Sequence, residues 1–158
     1  MSQVEKAAIS DIPKLADLEK NIFTSDIIYP RQFRYLLTKA NGEIFKVEEF
    51  GDLVGYMVLL KRKKSKKLRI YSICVAPQAR KKGIAGKLIC HAEKYGRCQQ
   101  LESLVLEVCE KNTKAIDLYK KVGFFQLKRK ENYYEDGCSA LQFMKDINGT
   151  EGHDSSSN

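Results

Sequence analysis

The stretch that most constrains this chain runs from "LRIYSICV" (68–75) through "APQARKKGIAG" (76–86) into "KLICHAEKYG" (87–96). A strand-like apolar segment gives way to a basic, glycine-containing loop, and then to apolar residues at helical spacing. A second strand pattern, "ESLVLEVC" (102–109), follows. Strand, helix and strand in this order predict a parallel pair joined by a right-handed crossover, with the helix from about Gly83 to Cys98. The basic loop then stands at the mouth of that helix. The first N–H groups of a helix lack internal partners, the helix dipole adds partial positive charge there, and such an end binds phosphate. Arg80, Lys81 and Lys82 raise the local positive potential, while Gly83 and Gly86 leave the backbone open to close approach. Residues 83–88 read G-I-A-G-K-L, which is neither a nucleoside-triphosphate P-loop nor a dinucleotide fingerprint. The alternative is a helix start with ordinary basic decoration.

Around this unit the other elements fall into place. "QVEKAAI" reads as a short first strand. "SDIPKLADLEKNIF" reads as a helix with Ile12, Leu15, Leu18 and Ile22 at helical spacing, Asp11 as its cap and Pro13 in its first turn. "PRQFRYLLTKA" predicts a second helix, with Phe33, Leu36, Leu37 and Ala40 on one side and Gly42 as its stop. "EIFKVEEF", Gly51-Asp52 and "LVGYMVLL" predict a strand, a turn and a strand. "TKAIDLYKKV" predicts a helix ended by Gly123, and "FFQLKRK" and "ALQFMKD" two last strands. The fold class this predicts is α+β, or mixed α/β: a single domain over residues 1–147 built on one sheet. Residues 148–158 carry no apolar side chain and read as a disordered tail.

Composition excludes several classes. Hydrophobic residues make up 43% of 158, and 30% are charged, so a core is affordable and a fibrous or disordered chain is excluded. No apolar run is long enough to cross a bilayer, and charges interrupt the N-terminal segment, so the expectation is a soluble, cytoplasmic protein without a membrane partner. The five cysteines are odd in number and lack C-x-x-C spacing. That argues against a disulfide framework and a zinc site, and makes Cys74 and Cys109 plain core residues. The two histidines, His91 and His153, stand far apart, and no metal is expected. The net charge of +8 admits a nucleic-acid partner or an anionic small ligand. "KRKKSKK" (61–67) reads as a solvated loop between strands; no aromatic residue interrupts it for base stacking, which argues against nucleic acid.

Three motifs in order carry a resemblance. "YSICVAPQARKKGIAGKLICHAEKYG" resembles motif A of the GNAT superfamily of acetyl-CoA-dependent acyltransferases, whose signature [QR]-x-x-G-x-[GA] is matched by Arg80, Gly83 and Ala85. "LVLEVCEKNTKAIDLYKKVGF" resembles motif B, and "ENYYEDGCSALQFMKDI" the closing segment of the protein N-terminal and ribosomal-protein-alanine acetyltransferase branch. The resemblance covers residues 3 to 147. It implies a central, mostly antiparallel sheet of about six to seven strands with a splayed parallel pair, flanked by about four helices.

The resemblance also implies roles. The backbone of Arg80, Lys81, Lys82, Gly83, Ile84, Ala85 and Gly86 would cradle the pyrophosphate of acetyl-CoA. Ile73, Cys74 and Val75 would run beside the pantetheine arm, with an N–H near Val75 on the thioester oxygen, and Asn112 would contact the arm. Glu107 matches the branch's general base; its strand neighbours Val105 and Cys109 are apolar, a setting that raises a carboxyl pKa, and the alternative is a solvated strand end. Tyr119 matches the general acid that protonates the leaving thiolate and contacts the cofactor; the alternative is a core tyrosine, with Ile116 and Val122 at helical spacing. Tyr133 and Tyr134 match residues that wall the peptide acceptor, or form an aromatic hairpin pair, before a turn at Glu135-Asp136-Gly137. "FTSDIIYP" (23–30) corresponds to the substrate loop, and departs from the branch's usual residues there. The activity implied is acetyl transfer to a primary amine, most of all a protein N-terminus. The alternatives are a small-molecule or lysine side-chain acetyltransferase, and a non-catalytic CoA- or nucleic-acid-binding module. Monomer and homodimer both stay open.

Overall fold

A computed structural model describes residues 3–148, so all but the first residue of the expected tail at 148–158 lies outside the described residues. Seven strands hydrogen-bond in the order β1-β2-β3-β4-β5-β7-β6. They are β1 (Val4–Lys6), β2 (Gly42–Glu49), β3 (Asp52–Lys61), β4 (Lys67–Val75), β5 (Ser103–Cys109), β6 (Phe125–Lys130) and β7 (Ala140–Asp146). The helices are α1 (Ile12–Ile22), α2 (Pro30–Thr38), α3 (Ile84–Cys98) and α4 (Thr113–Lys121). The described residues divide into two compact units, one of residues 3–61 with Ile70–His91 and the other of Arg62–Arg69 with residues 92–148. The elements match the expected ones in number, type and order.

In the first unit, β3 is buried along nearly its whole length, in keeping with its unbroken apolar run. β2 pairs with it antiparallel, Gly42 opposite Leu60 and Phe45 opposite Met57. Ile12, Leu15 and Leu18 make the buried stripe of α1, and Phe33 and Leu36 that of α2. Phe33 meets Tyr56 of β3 edge to face, with ring centroids 5.7 Å apart. Two expectations need correction here. Asp11 stands at the N-cap of α1 but its side chain makes no capping bond: its carboxylate accepts from the Ala8 N–H at 2.7 Å and binds Lys46 at 2.9 Å instead. Gly42 does not stop α2, which ends at Thr38; it opens β2, where a Cβ would collide with the Leu59 carbonyl.

In the second unit, β5 is the centre. Its first residues pair parallel with β4, from Lys67 opposite Ser103 to Arg69 opposite Val105. On its other side it pairs antiparallel with β7, from Ser103 opposite Asp146 to Cys109 opposite Ala140. Gly123, at φ +105°, ends α4 as expected. One sequence inference is overturned: Cys109 forms a disulfide with Cys138, 29 residues on. The β5–β7 register explains it, because Cys109 faces Ala140 and the Glu110 N–H bonds the Ser139 carbonyl at 2.9 Å. That brings the hairpin loop's Cys138 to the end of β5. Cys74 is buried as expected.

Candidate active site

The first unit supplies the loop between β4 and α3. The chain leaves β4 with the Ala76 N–H bonded to the Val54 carbonyl at 2.8 Å, and turns over Pro77–Ala79 with Ala79 buried. Arg80 folds back, its Nε donating to the Val75 carbonyl at 3.1 Å. Lys81 (φ +66°) and Gly83 (φ +77°) both take left-handed backbone, which reverses the chain into α3. The Lys87 N–H bonds the Gly83 carbonyl at 3.0 Å, so the N–H groups of Ile84, Ala85 and Gly86 precede the first intrahelical bond. Ile84, Leu88 and Ile89 are buried and anchor the helix, so Ile84 offers its backbone alone. A Cβ built on Gly83 or Gly86 would meet no atom within 4 Å. The first N–H groups of α3, beside two glycines with open Cβ positions and exposed Arg80, Lys81 and Lys82, suit a pyrophosphate. Lys82 lies 3.4 Å from Glu49. Ile73 and Val75 are half-buried, and burial pushes the Cys74 thiol well above its ordinary pKa, so it is an inert thiol.

Two residues of this unit were not singled out in the sequence. A Cβ on Gly55 would crowd the Cys74 carbonyl and Ile84 Cγ2, each at 3.2 Å, so glycine there lets β3 run close to the β4 end and the α3 start. The signal was a glycine inside an apolar strand. Glu19 is 2% exposed; its carboxylate accepts from the Ile28 N–H at 2.9 Å and from the Tyr56 hydroxyl. Burial, opposed by the Ile28 N–H, pushes its pKa up to about 7. Glu19 thereby ties the 23–30 loop to β3. The signal was a carboxylate on the apolar stripe of α1.

The second unit supplies the titratable residues. The Glu107 side chain is 6% exposed, which removes the solvated strand end as a reading. Three donors hold it: Arg69 Nη2 on Oε1, and Lys130 Nζ and Gln142 Nε2 on Oε2, each at 3.0 Å. The expected raised pKa is corrected here. Burial alone would raise it, but the Lys130 hydrogen bond, the Arg69 charge and the Gln142 amide hold the carboxyl below the usual carboxylate range. The same Arg69 Nη2 donates to the Tyr133 hydroxyl at 2.8 Å, so Arg69 joins Glu107 to Tyr133. Tyr133 is 38% exposed and meets Tyr134 edge to face at 4.9 Å. The turn at Glu135-Asp136-Gly137 forms as expected, Asp136 Oδ1 accepting from the Cys138 N–H at 2.9 Å.

Tyr119 is buried against Phe124 and Phe143, its ring centroids 5.7 and 6.5 Å from theirs, and burial pushes its pKa up to about 12. Register separates it from Glu107. Glu107 stands opposite Gln142, and Leu106 opposite Phe143, so the two pairs point to opposite faces of β5 and β7. Tyr119 packs with Phe143 on the face away from Glu107. Asn112 caps α4, its Oδ1 accepting from the Ala115 N–H at 3.2 Å. Among the described residues no group of three or more His, Cys, Asp or Glu could hold a metal ion, and no helix is long and apolar enough to cross a membrane.

Known proteins share this pattern. The model of the acetyltransferase (GNAT) family matches residues 11–124. An N-alpha-acetyltransferase of Sulfurisphaera tokodaii is 31% identical over 143 residues, covering 80% of this chain and 86% of that protein. An N-alpha-acetyltransferase of Sulfolobus acidocaldarius is 31% identical over 150 residues, covering 87% and 88%. The crystal structure of Ard1 from Thermoplasma volcanium shares the fold with a TM-score of 0.83 at 23% identity, over 92% of this chain and 97% of that one. The chain belongs to the GNAT family of acetyltransferases and is an acetyl-CoA-dependent N-acetyltransferase.

Proposed function

We propose that this protein moves the acetyl group of acetyl-CoA to the α-amino group of a peptide or protein N-terminus. The observation that carries the reading is a buried, ionised carboxylate, Glu107, with a primary ammonium already hydrogen-bonded to it. The names of the two relatives at 31% identity support the α-amine as acceptor.

The residues divide the work as follows. The Arg80–Gly86 backbone, with the basic side chains beside it, binds the pyrophosphate. Ile73, Cys74 and Val75 flank the pantetheine arm, and the Val75 N–H is assigned to the thioester oxygen, where an oriented donor lowers the barrier by about 3 kcal/mol. Asn112 contacts the arm from the N-cap of α4. Glu107 receives the acceptor as ammonium and takes its proton, directly or through a water. The free amine attacks the thioester carbon; the N–C bond forms, the C–S bond breaks, the new amide nitrogen sheds its second proton to water, and the thiolate takes a proton. Tyr119 is assigned as that donor by its place in the "AIDLY" stretch of the motif B segment. Tyr133 and Tyr134 wall the acceptor.

A lysine side chain is the second reading, favoured by the same ion pair: the ammonium that Glu107 holds in the structure is a lysine's. Peptides with a free N-terminus and no lysine, set against peptides with a blocked N-terminus and one lysine, separate the two. Turnover of the first set supports the proposal; turnover of the second set alone replaces it.

A further inference from the structure

We propose that Lys130 occupies the position the acceptor's ammonium takes on Glu107, and so sets acceptor affinity by competing for that carboxylate oxygen. The inference rests on the reading of Glu107 as the residue that receives the acceptor.

The three groups on Glu107 are not equally replaceable. Gln142 is the direct cross-strand partner of Glu107, so the β5–β7 ladder fixes its position. Arg69 is held twice, by Glu107 at 3.0 Å and by the Tyr133 hydroxyl at 2.8 Å, and its planar fork suits a fixed site. Lys130 is the last residue of β6, which ends the sheet and pairs with β7. Its side chain is 30% exposed, and apart from Glu107 its ammonium lies over the Tyr133 ring, 5.2 Å from the centroid. Its flexible four-carbon stem can swing the ammonium into water at little cost.

The chemistry of the exchange is symmetrical. A lysine ammonium and an N-terminal ammonium are both compact cations with three N–H donors and no directional fork. An oxygen that accepts one at 3.0 Å accepts the other. An arriving acceptor therefore displaces a like group and need not open a buried ion pair to nothing. Arg69 and Gln142 keep Glu107 oriented throughout. The released Lys130 remains beside Tyr133, where a π-face still attracts it.

The test uses alaninamide, an N-terminal ammonium without a side chain of consequence, titrated by calorimetry into the wild-type protein and into Lys130→Met, Lys130→Gln and Lys128→Met. Lys128 is exposed on the same strand and serves as the control. Loss of a competing ion pair whose lysine is 30% exposed predicts that alaninamide binds Lys130→Met and Lys130→Gln about two- to fivefold more tightly, with Lys128→Met unchanged. The KM for a peptide acceptor falls in parallel, while acetyl-CoA affinity stays the same. Equal or weaker alaninamide binding by both Lys130 variants overturns the proposal, and so does no binding by any of the proteins. Turnover of peptides by the wild type together with such a result sinks this proposal alone. Failure to turn over any amine sinks the reading of Glu107 itself.

Discussion

Glu107 and Gln142 face each other across β5 and β7 and share a hydrogen bond of 3.0 Å, while Leu106 and Phe143, one step along, face the other way. This register decides what each side chain of β5 can do. It gives Glu107 polar company and leaves Tyr119 in an aromatic cluster on the opposite face.

Glu107→Gln is expected to lower kcat by about a hundredfold or more, the range for loss of a positioned proton acceptor. Acetyl-CoA affinity should not change. Steady-state kinetics beside calorimetry measure both, and near-normal turnover would remove Glu107 from the reaction.

Gly83→Val tests the loop. Gly83 sits at φ +77° with open space before it, so valine brings both backbone strain and a branched side chain to the face assigned to pyrophosphate. Acetyl-CoA should bind at least about tenfold more weakly, a loss of about 1.4 kcal/mol. Unchanged affinity would place the pyrophosphate elsewhere.

Tyr119→Phe keeps the ring among Phe124 and Phe143 and removes the hydroxyl. Thermal unfolding should shift little, while kcat falls about tenfold or more if the hydroxyl protonates the thiolate. A full-rate Tyr119→Phe enzyme would make Tyr119 a core residue, as its packing alone suggests.

Glu19 gives a signed pH prediction. Its folded pKa of about 7 lies above its ordinary value of 4.5, so the folded state binds that proton more tightly than the unfolded chain. The resulting stabilisation is full below about pH 4.5 and is lost as pH rises through 7. At about 1.4 kcal/mol per pH unit the loss comes to about 3 kcal/mol. Urea unfolding from pH 4.5 to 8 should show that Glu19→Gln lacks this part of the decline and gains on wild type above pH 7. Parallel curves for the two proteins would contradict the assignment.

Much of the fold was legible because its signals are local. The apolar run of 53–60 marked a strand, the stripe of Ile12, Leu15 and Leu18 marked α1, and the loop at 80–86 announced a helix start with free donors. What stayed hidden was long-range. The parity of Glu107 with Val105 was readable, but the cations that reverse its pKa come from other strands, and Lys130 is 23 residues away. Tyr133 finds Arg69 across 64 positions, and Cys109 finds Cys138 across 29. Register creates such pairings, and register is set by how strands align rather than by any segment alone. Gly42 was misread for a related reason. A glycine shortly after a helix resembles a stop, but this one is required by the Leu59 carbonyl that a Cβ would strike.

The most direct test of the central claim is to incubate the protein with acetyl-CoA and a peptide that offers both a free N-terminus and an internal lysine, then locate the added acetyl group by fragmentation mass spectrometry. The account predicts acetyl on the α-amine, with one CoA released per peptide modified. Acetyl on the lysine alone, or none on the peptide, would contradict it.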